Sequence, residues 1–214
     1  MNGAAGDETT NRRPLTTRSN RWARAVAAAL VRTRISPDQI SLLSLVFAAV
    51  GSAALVWAPG TVGLVVCAGA IQLRLLCNML DGMVAVEGGK GSAVGALYNE
   101  IPDRVADSML IVALGYAVHL PVVGWLGALA AAVTAYIRVL GGSLGLPQDF
   151  RGPLAKPHRM AVMTAACLLG AIEQSAYGSM HTLVVAAYVV AIGSVATCVT
   201  RTHAIATRLR QARP

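Results

Sequence analysis

Four side chains that carry oxygen donors stand at fixed intervals in the middle of this sequence. Asn78 and Asp81 are three residues apart, and Asn99 and Asp103 are four apart. Around them the chain reads Asn78-Met79-Leu80-Asp81-Gly82-Met83-Val84-Ala85, then Gly95-Ala96-Leu97-Tyr98-Asn99-Glu100-Ile101-Pro102-Asp103. The surrounding sequence is apolar. Ionisable groups at bilayer depth are costly, so their presence there points to function. At the helical period Asn78, Asp81 and Ala85 lie on one face within roughly 60°. Gly95, Asn99 and Asp103 climb the next helix at four-residue steps. Two helices facing each other with carboxylates, amides and small residues make a polar pocket with room for a ligand.

The elements that must position these residues are membrane helices. The chain has 214 residues, 55% hydrophobic and only 13% charged, too apolar for an ordinary soluble domain. Its long apolar runs predict an all-α integral membrane protein: six transmembrane helices preceded by an amphipathic interfacial helix. The net charge of +8 is unevenly placed. Arginines crowd the segment before the first span, and Lys90, the group Arg151, Lys156 and Arg159, and the end of the chain hold most of the others. The connections near Pro59, Pro121 and Tyr177 hold no Lys or Arg. The positive-inside rule then puts both termini and the polar site on the cytoplasmic side of the cell membrane. Charges that flank spans without an interleaved aromatic surface argue against nucleic-acid binding. Cys67, Cys77, Cys167 and Cys198 show neither metal-ligand pairing nor a disulfide framework, and read as small core residues. The polar first 20 residues hold no apolar signal core.

Taken in order, residues 1–16 read as a disordered cytoplasmic tail. A single membrane domain follows over residues 17–207, with a basic cytoplasmic tail at 208–214. An interfacial helix is expected over Thr17–Thr33, with Trp22, Val26, Ala29 and Leu30 on one face and arginines largely off it. Pro37 breaks that helix, and Asp38 is placed to cap the next. The six spans are expected over Gln39–Ala58, Thr61–Val86, Ala93–His119, Pro121–Leu144, His158–Gln174 and Met180–Thr200. Residues 145–157 form a loop, and Glu87-Gly88-Gly89-Lys90 a turn. No internal repeat is visible, which disfavours a transporter.

The central pattern resembles that of the CDP-alcohol phosphatidyltransferases. That family carries Asp-x2-Asp-Gly-x2-Ala-Arg, a short gap, then Gly-x3-Asp-x3-Asp. Here Asn78-x2-Asp81-Gly82-x2-Ala85-Val86 is followed after eight residues by Gly95-x3-Asn99-x3-Asp103. Asn78, Val86 and Asn99 stand where the family has Asp, Arg and Asp. A shifted register would make Asp103 and Asp107 the closing pair, at the cost of a longer gap and Asn99 where glycine belongs. The resemblance covers about residues 17–205. It implies a phosphotransferase of phospholipid synthesis. An acceptor hydroxyl attacks the phosphorus of a CDP-linked alcohol such as CDP-diacylglycerol, and CMP leaves. It implies Mg²⁺ or Mn²⁺ held by Asn78, Asp81, Asn99 and Asp103, with Asp103 as general base. Gly82, Ala85 and Gly95 would let the nucleotide lie against the helices, and a homodimer in membrane lipid is implied too. Because the two amides each remove a negative charge, one metal is expected rather than two.

Other polar residues qualify this reading. Arg138 sits where family members place a basic residue for phosphate, and pairing with a bundle carboxylate is its alternative. Arg74 lies on the Asn78/Asp81 face and is expected to neutralise one acid. Glu100 or Asp107 can turn toward a metal in place of Asn99, and Asp107 can instead pair with Arg74 or Arg104. Lys156-Pro157-His158-Arg159 opens the fifth span, a place for an acceptor's phosphate or an anionic head group. The rival reading is a catalytically weakened relative that binds CDP-lipid or scaffolds membrane partners. The acceptor alcohol is not legible.

Overall fold

The computed structural model describes residues 21–211. Seven helices occupy them: α1 (Arg21–Val31), α2 (Pro37–Trp57), α3 (Thr61–Glu87), α4 (Gly95–Ala117), α5 (Pro121–Ser143), α6 (Lys156–Tyr177) and α7 (His181–Gln211). The chain is all-α, as expected. Four of these helices, α2, α3, α5 and α7, are long and apolar enough to cross a membrane. α4 falls short by that measure because it carries Glu100, Asp103, Arg104 and Asp107, and α6, which opens on Lys156 and Arg159 and ends in a polar Glu173-Gln174-Ser175, falls short too.

α2 to α5 begin and end within two residues of the sequence expectation. α6 runs three residues past the expected Gln174, to Tyr177, and three further features differ. The expected start of α1 at Thr17 lies outside the described residues, and the helix runs over Arg21–Val31. The cap of α2 is Ser36, not Asp38. Its side chain accepts from Gln39 N at 3.2 Å while Gln39 Oε1 accepts from Ser36 N at 3.0 Å, a capping box. Asp38 instead accepts a hydrogen bond from Ser92 Oγ. Finally, α7 continues to Gln211, well past the expected end at Thr200. Arg208 and Arg210 are therefore helical rather than part of a loose tail. The reason is Arg201, buried in the bundle with Nε on the Arg151 carbonyl and Nη1 on the Thr134 carbonyl, both at 2.7 Å.

The six long helices close into a ring in the order α2, α3, α6, α7, α5, α4, each packed on its two neighbours. α1 lies against α3, burying Ala23 and Ala27 among Cys77, Leu80, Met83 and Val84. Trp22, Val26 and Ala29 stay exposed on another face of α1, an apolar strip that suits a lipid interface. Small residues set the tightest crossing. A Cβ on Gly115 of α4 would come within 2.6 Å of the Gly124 Cα on α5, so the turn from α4 to α5 depends on both glycines. Cys67, Cys77 and Cys167 are buried and Cys198 half-buried, all as free thiols.

Candidate functional site

The site is built on one face of α4. Glu100, Asp103 and Asp107 follow at three- and four-residue steps, which keeps their side chains within roughly 60°. Cations from three other helices meet this acidic stripe. Arg74 of α3 is wholly buried, and its Nη2 bonds Asp103 Oδ1 at 2.6 Å and Asp107 Oδ1 at 2.5 Å. Arg159 of α6 reaches Asp107 Oδ2 at 3.3 Å. Lys156, also of α6, pairs with Asp103 Oδ1. Arg138 of α5 holds Glu100 Oε1 at 2.6 Å. Arg104 stays within α4, pairing with Asp103 Oδ2 and lying 3.7 Å from Glu100. Long side chains thus satisfy charge across the interior while apolar surface faces outward, since buried charges must be paired.

Asp103 is the most crowded acid. Its Oδ1 accepts from Arg74, Lys156 and the Asn78 amide, the last at 2.8 Å. Its Oδ2 accepts from Arg104 only, among the described contacts. A carboxylate offers about four lone-pair sites, so Oδ2 is the oxygen with capacity for one more donor. Asn78 spends its NH₂ on Asp103, and its carbonyl oxygen takes no part in that bond.

Asp81 stands apart from the ion-pair ladder. It is 3% exposed, and its Oδ2 accepts from Ser41 Oγ of α2 at 2.6 Å. Its Oδ1 is buried with no hydrogen-bond partner. It lies near enough to Asp103 and Lys156 to feel their charges. A buried, unbonded carboxylate oxygen fits a hard divalent cation, which takes oxygen ligands. No group of three or more His, Cys, Asp or Glu side chains stands ready for a metal among the described residues. Amide, water and substrate oxygens would have to complete the shell, as Mg²⁺ readily allows.

The expected site residues divide. Asn78 of α3 and Asp103 of α4 are hydrogen-bonded at 2.8 Å, while Asp81, one turn on from Asn78, bonds Ser41 of α2. Asn99 is exposed near the start of α4 and makes no described contact with them. Gly82 and Ala85 are half-buried on α3, and Gly95 opens α4 with the Ser92 hydroxyl close by. Arg74 was expected to neutralise an acid and does, but on α4 rather than on its own helix. Arg138 takes its alternative, a carboxylate. Its Nη1 also donates to Gln148 at 2.8 Å, and its guanidinium stacks 5.4 Å from the Phe150 ring centroid. Glu100 and Asp107 face cations.

Sequence reasoning missed Ser41 and the pairing of Arg159. Ser41 sits one turn into an otherwise apolar helix, and that polar interruption was the available signal. The loop before α6 was read only as a loop. It is pinned instead: Asp149 is buried and accepts from Arg151 N, Nε and Nη2 at 2.8–3.1 Å, with Arg208 at 3.8 Å. The Arg151 hydrogen bonds hold the Asp149 carboxyl below the usual carboxylate range.

A scan against protein-family models finds no match. Curated relatives do match. The chain is 30% identical over 204 residues to the phosphatidylinositol phosphate synthase of Streptomyces avermitilis, covering 85% of this chain and 80% of that protein. It is 29% identical over 193 residues to the enzyme of the same name from Mycobacteroides abscessus, covering 85% and 82%. Among solved structures, phosphatidylinositol phosphate synthase of Mycobacterium tuberculosis with CDP-DAG bound superposes with a TM-score of 0.72 at 23% identity, over 88% of this chain and 95% of that one. The same protein in complex with manganese and citrate gives 0.71 at 23% identity, over 86% and 89%. These structures share the fold. With the spaced motif on α3 and α4 and near full-length similarity to named synthases, the chain belongs to the CDP-alcohol phosphatidyltransferase family.

Proposed function

We propose that this protein is a multi-pass membrane phosphotransferase of phospholipid biosynthesis. It moves the phosphatidyl group of a CDP-linked alcohol, CDP-diacylglycerol foremost, to an acceptor hydroxyl and releases CMP. The observation that carries the reading is the presence of two differently set buried carboxylates, one on α3 and one on α4, the two helices being bridged by Asn78 and Arg74. Asp81 has a buried oxygen without a partner, and Asp103 has one oxygen with spare capacity. Asp103 Oδ2 takes the proton of the acceptor hydroxyl. The acceptor oxygen forms a new bond to the phosphorus that bears diacylglycerol, and the bond from that phosphorus to the CMP oxygen breaks. Asp81, with the amide oxygen of Asn78 and with Asp103, would hold Mg²⁺ or Mn²⁺, and Asn99, exposed one turn before Asp103, would serve only as an outer ligand. When bound, such a cation neutralises pyrophosphate charge and stabilises the leaving group. Arg74, Arg104 and Lys156 keep Asp103 ionised and oriented, and leave positive charge beside the pyrophosphate. Gly82, Ala85 and Gly95 present little bulk to the nucleotide.

The same reading makes α2 to α7 six spans, with α4 and α6 crossing on the strength of their paired charges. It puts both termini and the site on the cytoplasmic side, supported by the basic residues of the inner connections. A homodimer is part of the reading on family grounds.

Release of CMP from labelled CDP-diacylglycerol in proteoliposomes, with a panel of acceptor alcohols, tests it. Asp103→Asn should cut turnover at least a hundredfold while CDP-diacylglycerol still binds, as expected for loss of a general base. A wild-type protein that binds CDP-diacylglycerol but releases no CMP with any alcohol would favour the lipid-binding rival, which the loss of two acids and an arginine from the motif motivates.

A further inference from the structure

Asp107 has no task in the phosphotransfer just described. It is 2% exposed and lies one turn of α4 beyond Asp103. Both of its oxygens are engaged: Oδ1 accepts from Arg74 Nη2 at 2.5 Å and Oδ2 from Arg159 Nη2 at 3.3 Å. Arg159 is buried too, and its Nη1 donates to the Leu154 carbonyl at 3.0 Å. Held on both oxygens and almost without exposed surface, Asp107 is placed to act on its neighbours rather than on substrate. The neighbour that matters is Arg74. Its Nη2 carries two hydrogens and spends them on two acids, Asp103 Oδ1 at 2.6 Å and Asp107 Oδ1 at 2.5 Å. Its Nη1 lies 3.1 Å from the Met160 sulfur, and its Nε has no partner. A guanidinium beside a single carboxylate commonly grips both oxygens in a fork. Here Arg74 touches only Oδ1 of Asp103. Oδ2, the oxygen that takes the acceptor's proton, is left with Arg104 among the described contacts.

We infer that Asp107 is a positioning residue for the base: by drawing the second hydrogen of Arg74 Nη2 to itself, it keeps the guanidinium on one oxygen of Asp103 and leaves Oδ2 open to the acceptor hydroxyl. The inference rests on the phosphotransferase reading and deepens it. Without the Asp107 charge, Arg74 is drawn wholly to Asp103 and closes its fork across Oδ1 and Oδ2. Oδ2 then carries two cationic donors, and the acceptor hydroxyl loses the lone pair that receives its proton. Asp107 itself lies out of reach of the CDP-linked alcohol, so the effect falls on turnover rather than on binding. The argument depends on the forked shape of the guanidinium. An ammonium at the same place is a point donor that cannot span both oxygens. With Arg74→Lys the need for Asp107 therefore disappears.

The test uses the full-length protein in nanodiscs and follows CMP release from labelled CDP-diacylglycerol, with the alcohol of the panel that supports it best. Asp107→Asn removes the charge and keeps the shape. It should lower kcat at least about tenfold, as a misplaced reacting group does, and leave KM for CDP-diacylglycerol within about twofold. On an Arg74→Lys background the same change should cost less than about threefold, because a point donor leaves Oδ2 open with or without Asp107. The double variant should therefore turn over faster than Asp107→Asn alone, a rescue that a merely structural role does not give. Folding of each variant is read from the heating-induced exposure of Cys67, Cys77 and Cys167. Asp107→Asn with wild-type kcat overturns the inference, as does a rise in KM that matches the fall in kcat. A double variant that does not fold, or that turns over no faster than Asp107→Asn, overturns it as well. If Asp107→Asn alone does not fold, Arg74→Lys against the double variant decides by the same threefold limit. Wild-type protein that releases no CMP with any alcohol overturns the phosphotransferase reading and the inference with it, whereas the other failures overturn the inference alone.

Discussion

Arg74→Met tests whether the interior is held by charge reaching from α3 to α4. The native guanidinium is fully buried, and its Nη2 bridges Asp103 and Asp107 at 2.6 and 2.5 Å. Its Nη1 lies 3.1 Å from the Met160 sulfur. Methionine fills a similar volume, so packing changes little. What is lost is the cation between two buried carboxylates. Breaking a buried pair by removing one partner costs about 3–5 kcal/mol. Asp103 keeps Lys156 and Arg104, and Asp107 keeps Arg159 at 3.3 Å, so the lower end applies. A loss of about 3 kcal/mol in a chain of this size lowers Tm by roughly 6–12 °C. Buried Cys67, Cys77 and Cys167 supply the assay, since a thiol-reactive fluorophore reports their exposure on heating in detergent. Asp107→Asn in the Arg74→Met background should cost at least about 1 kcal/mol less than the two single changes added together. A Tm shift under about 3 °C, or a strictly additive cycle, would refute the bridge as the source of stability.

Two further outcomes follow from the site and the loop. Asp81→Ala removes the buried carboxylate with the unbonded oxygen. It should abolish any rise in Tm on adding Mn²⁺, measured by the same thiol assay, whereas Asn99→Ala at the exposed start of α4 should leave most of that rise. Asp149 has its folded-state carboxyl held down by Arg151, so its contribution is present above the ordinary carboxylate pKa of about 4 and is lost as pH falls below it. The Tm gap between wild type and Asp149→Asn should therefore be widest near neutral pH and narrow in acid. A gap that grows on acidification would contradict the Arg151 contact.

Much of this protein is readable without coordinates. Hydropathy and the turn residues Pro37, Pro59-Gly60 and Pro121 define the long helices, because a helix in lipid needs a continuous apolar run and a breaker at each end. The intervals from Asn78 to Asp103 identify the family, because ligand contacts on helices repeat at three or four residues whatever surrounds them. The end of α7 was not readable in this way. Past Thr200 the sequence turns polar, yet a buried Arg201 carries the helix on to Gln211.

The oxygen-bearing quartet and its helices were thus a matter of local spacing, which one strand of sequence holds in full. The choice of partner for each charge was legible only as alternatives, Arg74 or Arg104 for Asp107 and phosphate or a bundle carboxylate for Arg138. Arg74 lies on the Asp81 face of its own helix but serves Asp103 and Asp107 across the bundle. Arg138 meets Glu100 from a helix 38 residues away in sequence. Which opposite charge a long flexible side chain reaches depends on how the helices are arranged around the ring, and that arrangement is fixed only when the apolar faces and small residues have packed.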